Sequence, residues 1–231
     1  MSFIGFPKES ITSLNDIRKN NTKGWFEAHR DAYEKLIKEP SAAFVVEMGE
    51  HLQALVPTIK AEPKVNGSLF RIYRDIRFSK DKTPIKSRIG VIFWQGVGKR
   101  MQSSSFYMHF SPDEIFFAAG IRGFSKETLS AYRDYIKDEK HSQELIKILD
   151  KLKSMGYHLP EPKYKRVPRE FDADMQHVEL TKFASMFAYK EIGPDEILFC
   201  EKLVDYAYEI YEDLLPLQQW VYEMTLTVDA S

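Results

Sequence analysis

Apolar residues recur at two spacings along this chain, and the change of spacing divides it into helical, β and helical thirds. Trp25, Phe26, His29, Tyr33, Leu36 and Ile37 fall three and four residues apart. That spacing puts them on one face of a helix, which Asn20-Asn21-Thr22 opens and Pro40 stops. A shorter helix precedes it, from Thr12 or Ser13 to Lys19. Ser41 can cap a third, with Phe44, Val45, Met48, Leu52, Leu55 and Val56 as its apolar stripe and Pro57 at its end.

The period then shortens to two. Phe70 to Phe78 alternates, Ile89 to Gln95 is a short apolar run, and Ser105–Phe110 and Ile115–Ala119 flank Ser111-Pro112-Asp113-Glu114, a turn with proline at its second position. These four segments predict an antiparallel meander. Helical spacing returns from Ser125 to Lys137 and from Ser142 to Met155, where Gly156 supplies a stop. Asp174 can cap a helix carrying Val178, Leu180, Phe183 and Phe187. Pro194 can open a long helix through Ile197, Leu198, Leu203, Tyr206, Ala207 and Ile210. Strands grouped between helices predict an α+β fold, one domain over residues 1–231 with a small antiparallel sheet of about four strands in its middle.

Composition narrows the class. A chain of 231 residues, 43% hydrophobic and 29% charged, can bury a sizeable core. Its longest strongly apolar run, Val91 to Trp94, is far short of the roughly 20 residues of a membrane span. Met1 to Ser10 lacks a basic segment followed by an apolar one, and the single cysteine, Cys200, excludes an intrachain disulfide. A cytoplasmic protein with no membrane partner is expected.

The net charge of −1 conceals a segregation. From Glu191 to Ser231 ten acids face one base, Lys202, a balance of −9. From Arg71 to Arg88 seven bases face Asp75 and Asp81, a balance of +5. Read as a strand, the second segment places Phe70, Ile72, Arg74, Ile76 and Phe78 on the core face and Arg71, Tyr73, Asp75 and Arg77 on the other. Ser79-Lys80-Asp81-Lys82-Thr83-Pro84 follows as a polar loop, and Lys86 and Arg88 extend the patch. The planar fork of arginine suits phosphate or carboxylate. The rival expectation is an internal network in which Asp75 neutralises Arg71 and Arg77 while an acid of the C-terminal segment holds Arg74.

Two further clusters bear on chemistry. Tyr107 and His109 share the face opposite Phe106, Met108 and Phe110, so His109 could exchange protons if Asp75 oriented it; a histidine simply hydrogen-bonded on the sheet is the plainer alternative. Lys163, Lys165, Arg166 and Arg169 surround Tyr164 in a proline-pinned loop that could close over an anion or be a solvated connection. Cys200, on an apolar stripe, reads as core. Zinc spacing, a His-Glu-x-x-His pair, a P-loop, a dinucleotide fingerprint and a Gly-x-Ser-x-Gly elbow are all missing, so no metal or cofactor is expected.

The order of segments resembles a widespread family catalogued as domain of unknown function 2461. The matching pieces are Asn20-Asn21 with Trp25-Phe26, Tyr33 and Pro40; Arg71-Ile72-Tyr73-Arg74-Asp75; Arg77-Phe78-Ser79-Lys80-Asp81-Lys82-Thr83-Pro84 with Lys86; Tyr107, His109 and Pro112; Gly120 and Gly123; Leu129 and Arg133; Lys165-Arg166, Pro168-Arg169, Asp174 and His177. Ile76 and Ile85 depart from the usual pattern without removing a charge. The resemblance implies one soluble α+β domain and supplies no activity.

Three functional readings follow. The first is a site for a phosphate- or carboxylate-bearing small molecule, built from Arg71, Tyr73, Arg74, Arg77, Lys80, Asp81, Lys82, Lys86, Tyr107, Arg166 and Arg169, with Asp75 or His109 handling protons if the site is catalytic. The second is a nucleic-acid module using Tyr73, Tyr107 and Tyr164 as stacking platforms. The acidic C-terminal segment ranks it behind the first. The third is an interaction protein whose basic motif pairs with its acidic C-terminal helices.

Overall fold

The computed structural model describes residues 2–172 and 174–229. Helices α1 (Glu9–Lys19), α2 (Lys23–Ala28), α3 (Arg30–Tyr33) and α4 (Glu39–Leu55) come first. A four-stranded antiparallel sheet in the middle of the chain follows, in the order β1-β2-β3-β4, from β1 (Ile89–Trp94), β2 (Ser105–Phe110), β3 (Ile115–Ile121) and β4 (Met186–Ile192). Helices α5 (Lys126–Tyr135) and α6 (Glu139–Ser154) lie between β3 and β4, and α7 (Leu203–Asp229) closes the chain. The fold is α+β, as the grouping of strands implied. Among the described residues no helix is long and apolar enough to cross a membrane.

Several local signals act as their chemistry dictates. The Thr22 hydroxyl caps α2 by accepting from the Trp25 N–H at 3.2 Å, and Ser125 caps α5 by accepting from the Thr128 N–H at 3.1 Å. Others are overruled. Pro40 does not stop the second helix. A π-helical turn, Glu34–Lys38, carries the chain from α3 into α4 with Pro40 in the first turn of α4. Proline has no N–H to give the carbonyl four residues back, and that carbonyl, Leu36 O, instead accepts from Ser10 Oγ at 2.8 Å. Ser41 does not cap; its hydroxyl bonds back to Ile37 O at 2.6 Å.

Two predicted elements are replaced. The segment from Phe70 to Phe78 is not a regular strand. The sheet's fourth strand is instead β4, within a region where a helix from Asp174 was expected. There the chain forms only a 3-10 turn, Val178–Lys182, before extending into Met186–Ile192. The helix expected from Pro194 is likewise a 3-10 turn, Glu196–Phe199, followed by α7 from Leu203.

The chain divides into two compact units. The first comprises Met1–Phe93, Tyr107–Phe117 and Glu191–Ile210. Its core is aromatic: Phe3 packs edge-on to Phe44 at 5.3 Å, and Phe6 lies 4.4 Å from Phe110. The second comprises Trp94–Phe106, Ala118–Lys190 and Tyr211–Ser231. In it Tyr132, Leu145, Leu149, Leu152 and Trp220 are buried, and the Tyr132 hydroxyl donates to Leu180 O at 3.0 Å. Gly120 in β3 has φ +118°, and a Cβ there would lie 2.2 Å from Met186 O, so the close approach of β4 requires glycine.

Candidate functional site

The Arg71–Arg88 segment belongs to the first unit and is anchored at both ends. Just before it, Ser68–Phe70 runs along β1: Ile92 N donates to Ser68 O at 2.9 Å and Phe70 N to Gly90 O at 3.1 Å. A Cβ on Gly90 would lie 2.8 Å from the Tyr107 hydroxyl and 3.2 Å from the Phe70 ring, so glycine makes room for both aromatics.

The chain then leaves the sheet as a hairpin. Tyr73 is bridged antiparallel to Ile85, Arg74 N donates to Pro84 O at 2.8 Å, and Lys86 N to Ile72 O at 2.9 Å. Ile72 and Ile85 are buried at its base. Beyond them most residues are charged or polar, neither Ile76 nor Phe78 is buried, Pro84 offers no N–H, and little apolar area remains to hold a longer ladder. This is why the alternation from Phe70 to Phe78 does not produce a strand. Phe78, expected in the core, is 96% exposed, and Arg74, expected beside it, turns to Asp81.

Side chains of the N-terminal helical region fix the base. Asn21 Nδ2 donates to Ile85 O at 2.9 Å while Asn21 Oδ1 accepts from Ile85 N at 2.9 Å. The Tyr73 hydroxyl bonds to Glu27, Arg30 donates to that hydroxyl at 3.1 Å, and Arg30 also grips Glu27 through Nε at 2.9 Å. Arg30 and then Tyr73 hold the Glu27 carboxyl below its ordinary range, while Glu27 raises the Tyr73 phenol. Tyr73 is therefore an anchor and does not stand in an open row with Arg71, Asp75 and Arg77.

The hairpin satisfies its own acids. Asp75 receives Arg77 Nε at 2.9 Å and Nη2 at 2.7 Å, a bidentate pair. The Arg77 side-chain bonds, with its backbone N–H and the nearby Arg71 charge, bring the Asp75 carboxyl down to about 2. Asp81 accepts from Thr83 N at 2.9 Å and Thr83 Oγ1 at 2.8 Å and bonds to Arg74; the Thr83 bonds first, then Arg74, lower it to about 2. Arg74 is held by Asp81 within the hairpin and not by an acid of the C-terminal segment. Lys82 Nζ rests on Ile76 O at 2.9 Å, and Lys86 Nζ on Arg71 O at 2.7 Å. Arg71, Lys80 and Lys82 are exposed and form no salt bridge among the described residues.

His109 and Asp75 have separate partners. His109 Nε2 bonds to Glu114 Oε1 at 2.8 Å across the β2–β3 turn, and its ring stacks on Phe116 at 4.8 Å. Its side chain is only 7% exposed. Tyr107 packs edge-on between Phe70, at 5.8 Å, and Phe116, at 6.2 Å. Asp75, already ionised and doubly bonded to Arg77, is a poor proton acceptor. The structure thus brings Arg74, Asp75, Arg77, Asp81 and Lys82 into one hydrogen-bonded hairpin and gives His109 a different carboxylate.

Arg166 and Arg169 lie in the second unit, both exposed. In that loop Tyr164 carries Arg133 over its ring at 5.2 Å and Lys163 at 5.8 Å, and Arg133 also pairs with Glu170 at 3.6 Å. Cys200 is half-buried, its thiol 3.6 Å from Ile197 O. Among the described residues no group of three or more His, Cys, Asp or Glu side chains could hold a metal ion. Sequence reasoning missed Glu27, Arg30 and Glu114. In the sequence Asn21 stands out only in the Asn20-Asn21-Thr22 break that opens the second helix and in the family pattern.

Fold and site together define an α+β protein with an internally braced cationic hairpin. The chain belongs to the family described as Conserved hypothetical protein (DUF2461), whose family model matches residues 9–220. No curated protein matches it.

Proposed function

We propose that the hairpin between Arg71 and Arg88 is an anion-binding element whose ligand carries phosphate or carboxylate. One observation carries this reading: Asp75 and Asp81 are each taken up by an arginine of the same hairpin, while Arg71, Lys80 and Lys82 face solvent and form no salt bridge among the described residues. Exposed ion pairs contribute little stability by themselves. A braced loop that leaves cations over is better explained by something it binds. Arg74 and Arg77 shape the loop, while Arg71, Lys80 and Lys82 meet the anion. All five divisions between the two units fall inside β1, β2, β3, β4 or α7, which supports treating the chain as one functional domain.

Thermal unfolding with inorganic phosphate, pyrophosphate and a dicarboxylate tests the reading. A ligand at 100 times its Kd adds about 2.7 kcal/mol of stability. The shift should disappear in the Lys80→Ala/Lys82→Ala double variant. No shift with any of these anions in the unaltered protein would overturn it.

A second reading has its own observation. Glu201, Asp205 and Glu209 are exposed and form no salt bridge among the described residues, so the hairpin of one copy could pair with these acids of another. Self-association at low salt that is lost at high salt, seen by sedimentation, would favour it.

A further inference from the structure

We infer that the ligand of this hairpin presents a nucleobase beside its phosphate, as single-stranded nucleic acid does, and that the base stacks on Phe78. The inference rests on the anion-binding reading above and names its ligand class. Among the described residues Phe78 is the only aromatic of the large exposed hydrophobic side chains, and at 96% exposure it contributes nothing to the core. It sits directly after Arg77, whose guanidinium is fixed by Asp75 and lies 5.8 Å from the Phe78 ring centroid. Lys80 and Lys82 follow within four residues. An open ring flanked by cations is the arrangement that grips a base by its face and the adjoining phosphates by charge.

The tyrosines nearer the base of the hairpin cannot take this role. Tyr73 is held by Glu27 and Arg30, and Tyr107 is packed against Phe70 and Phe116. A lipid surface is a poorer partner. Asp75 and Asp81 stand three residues to either side of Phe78, so inserting the ring would press two carboxylates and the tip amides against anionic headgroups. Stacking requires only the face of the ring.

Fluorescence anisotropy with a labelled 12-nucleotide single strand, an abasic strand of equal length and charge, and the corresponding mononucleotide tests this. The intact strand should bind more tightly than the abasic one, with affinity falling as salt rises. Phe78→Ala should weaken intact-strand binding by about 5- to 150-fold and bring the two strands close to equal affinity. If the mononucleotide competes at similar affinity per site, the base–phosphate ligand is a free nucleotide, and the stacking inference still stands. Equal binding of intact and abasic strands to the unaltered protein would overturn the inference while leaving the anion reading in place. Binding of neither strand, with no thermal shift by phosphate, would overturn both. Phe78-dependent binding to phosphatidylserine vesicles without strand binding would assign the tip to membranes and overturn the inference.

Discussion

The side-chain amide of Asn21 does the work of a neighbouring strand for Ile85, donating to its carbonyl and accepting from its N–H, both at 2.9 Å. Ile85 is buried, so these backbone groups need partners, and the chain brings one from 64 residues away. Asn21→Ala should destabilise the protein by about 1–3 kcal/mol, since two backbone groups lose their partner. Asn21→Asp should be no better, because its carboxylate faces the Ile85 carbonyl. Urea denaturation measures the loss, and faster hydrogen exchange at the Ile85 amide places it at the hairpin base.

The two hairpin acids make the tip sensitive to strong acid only. Both carboxyls lie at about 2, below the ordinary 3.8, so the unfolded chain binds protons first as pH falls. Their contribution is therefore complete above about pH 4 and is lost as the pH falls through about 2. Carboxyl NMR titration should show both midpoints near 2. Arg77→Met should return Asp75 toward the ordinary range and leave Asp81 low, because Thr83 and Arg74 hold the latter.

Phe78 and Phe110 should respond oppositely to truncation. Phe110 is buried against Phe6, and Phe110→Ala should cost about 3–5 kcal/mol. Phe78→Ala should change stability by no more than about 0.5 kcal/mol, because the ring is 96% exposed and meets only the exposed Arg77 guanidinium. A large loss on truncating Phe78, measured by denaturation, would return it to the core.

Gly120 should tolerate no side chain. At φ +118° and with Met186 O in the way, Gly120→Ala forces β4 to move or the backbone to strain, each costing about 1–3 kcal/mol. A lowered Tm, with early exchange of the β3–β4 amides, is expected.

Local chemistry explains what could be read without coordinates. Thr22 and Ser125 cap helices because their hydroxyls reach the amide three residues on, and β1, β2 and β3 fall where short apolar runs meet a turn. The basic segment was visible as charge. Its shape was not, because alternation cannot distinguish a strand on a sheet from a hairpin that leaves one. Pro40 misled for a related reason: its cost is met by Ser10, 30 residues away in sequence.

The sequence alone determined the α+β class, the Thr22 and Ser125 caps, most of the sheet and the stretch that carries the site, since each depends on neighbours along the chain. Only the tertiary structure decided that Asp75 and Asp81 are spent on Arg77 and Arg74, that Glu114 and not Asp75 meets His109, that Asn21 and Glu27 brace the base, and that Phe78 faces water. Those outcomes depend on which groups distant in sequence arrive within hydrogen-bond reach, and on how much apolar area is left to hold a strand in place.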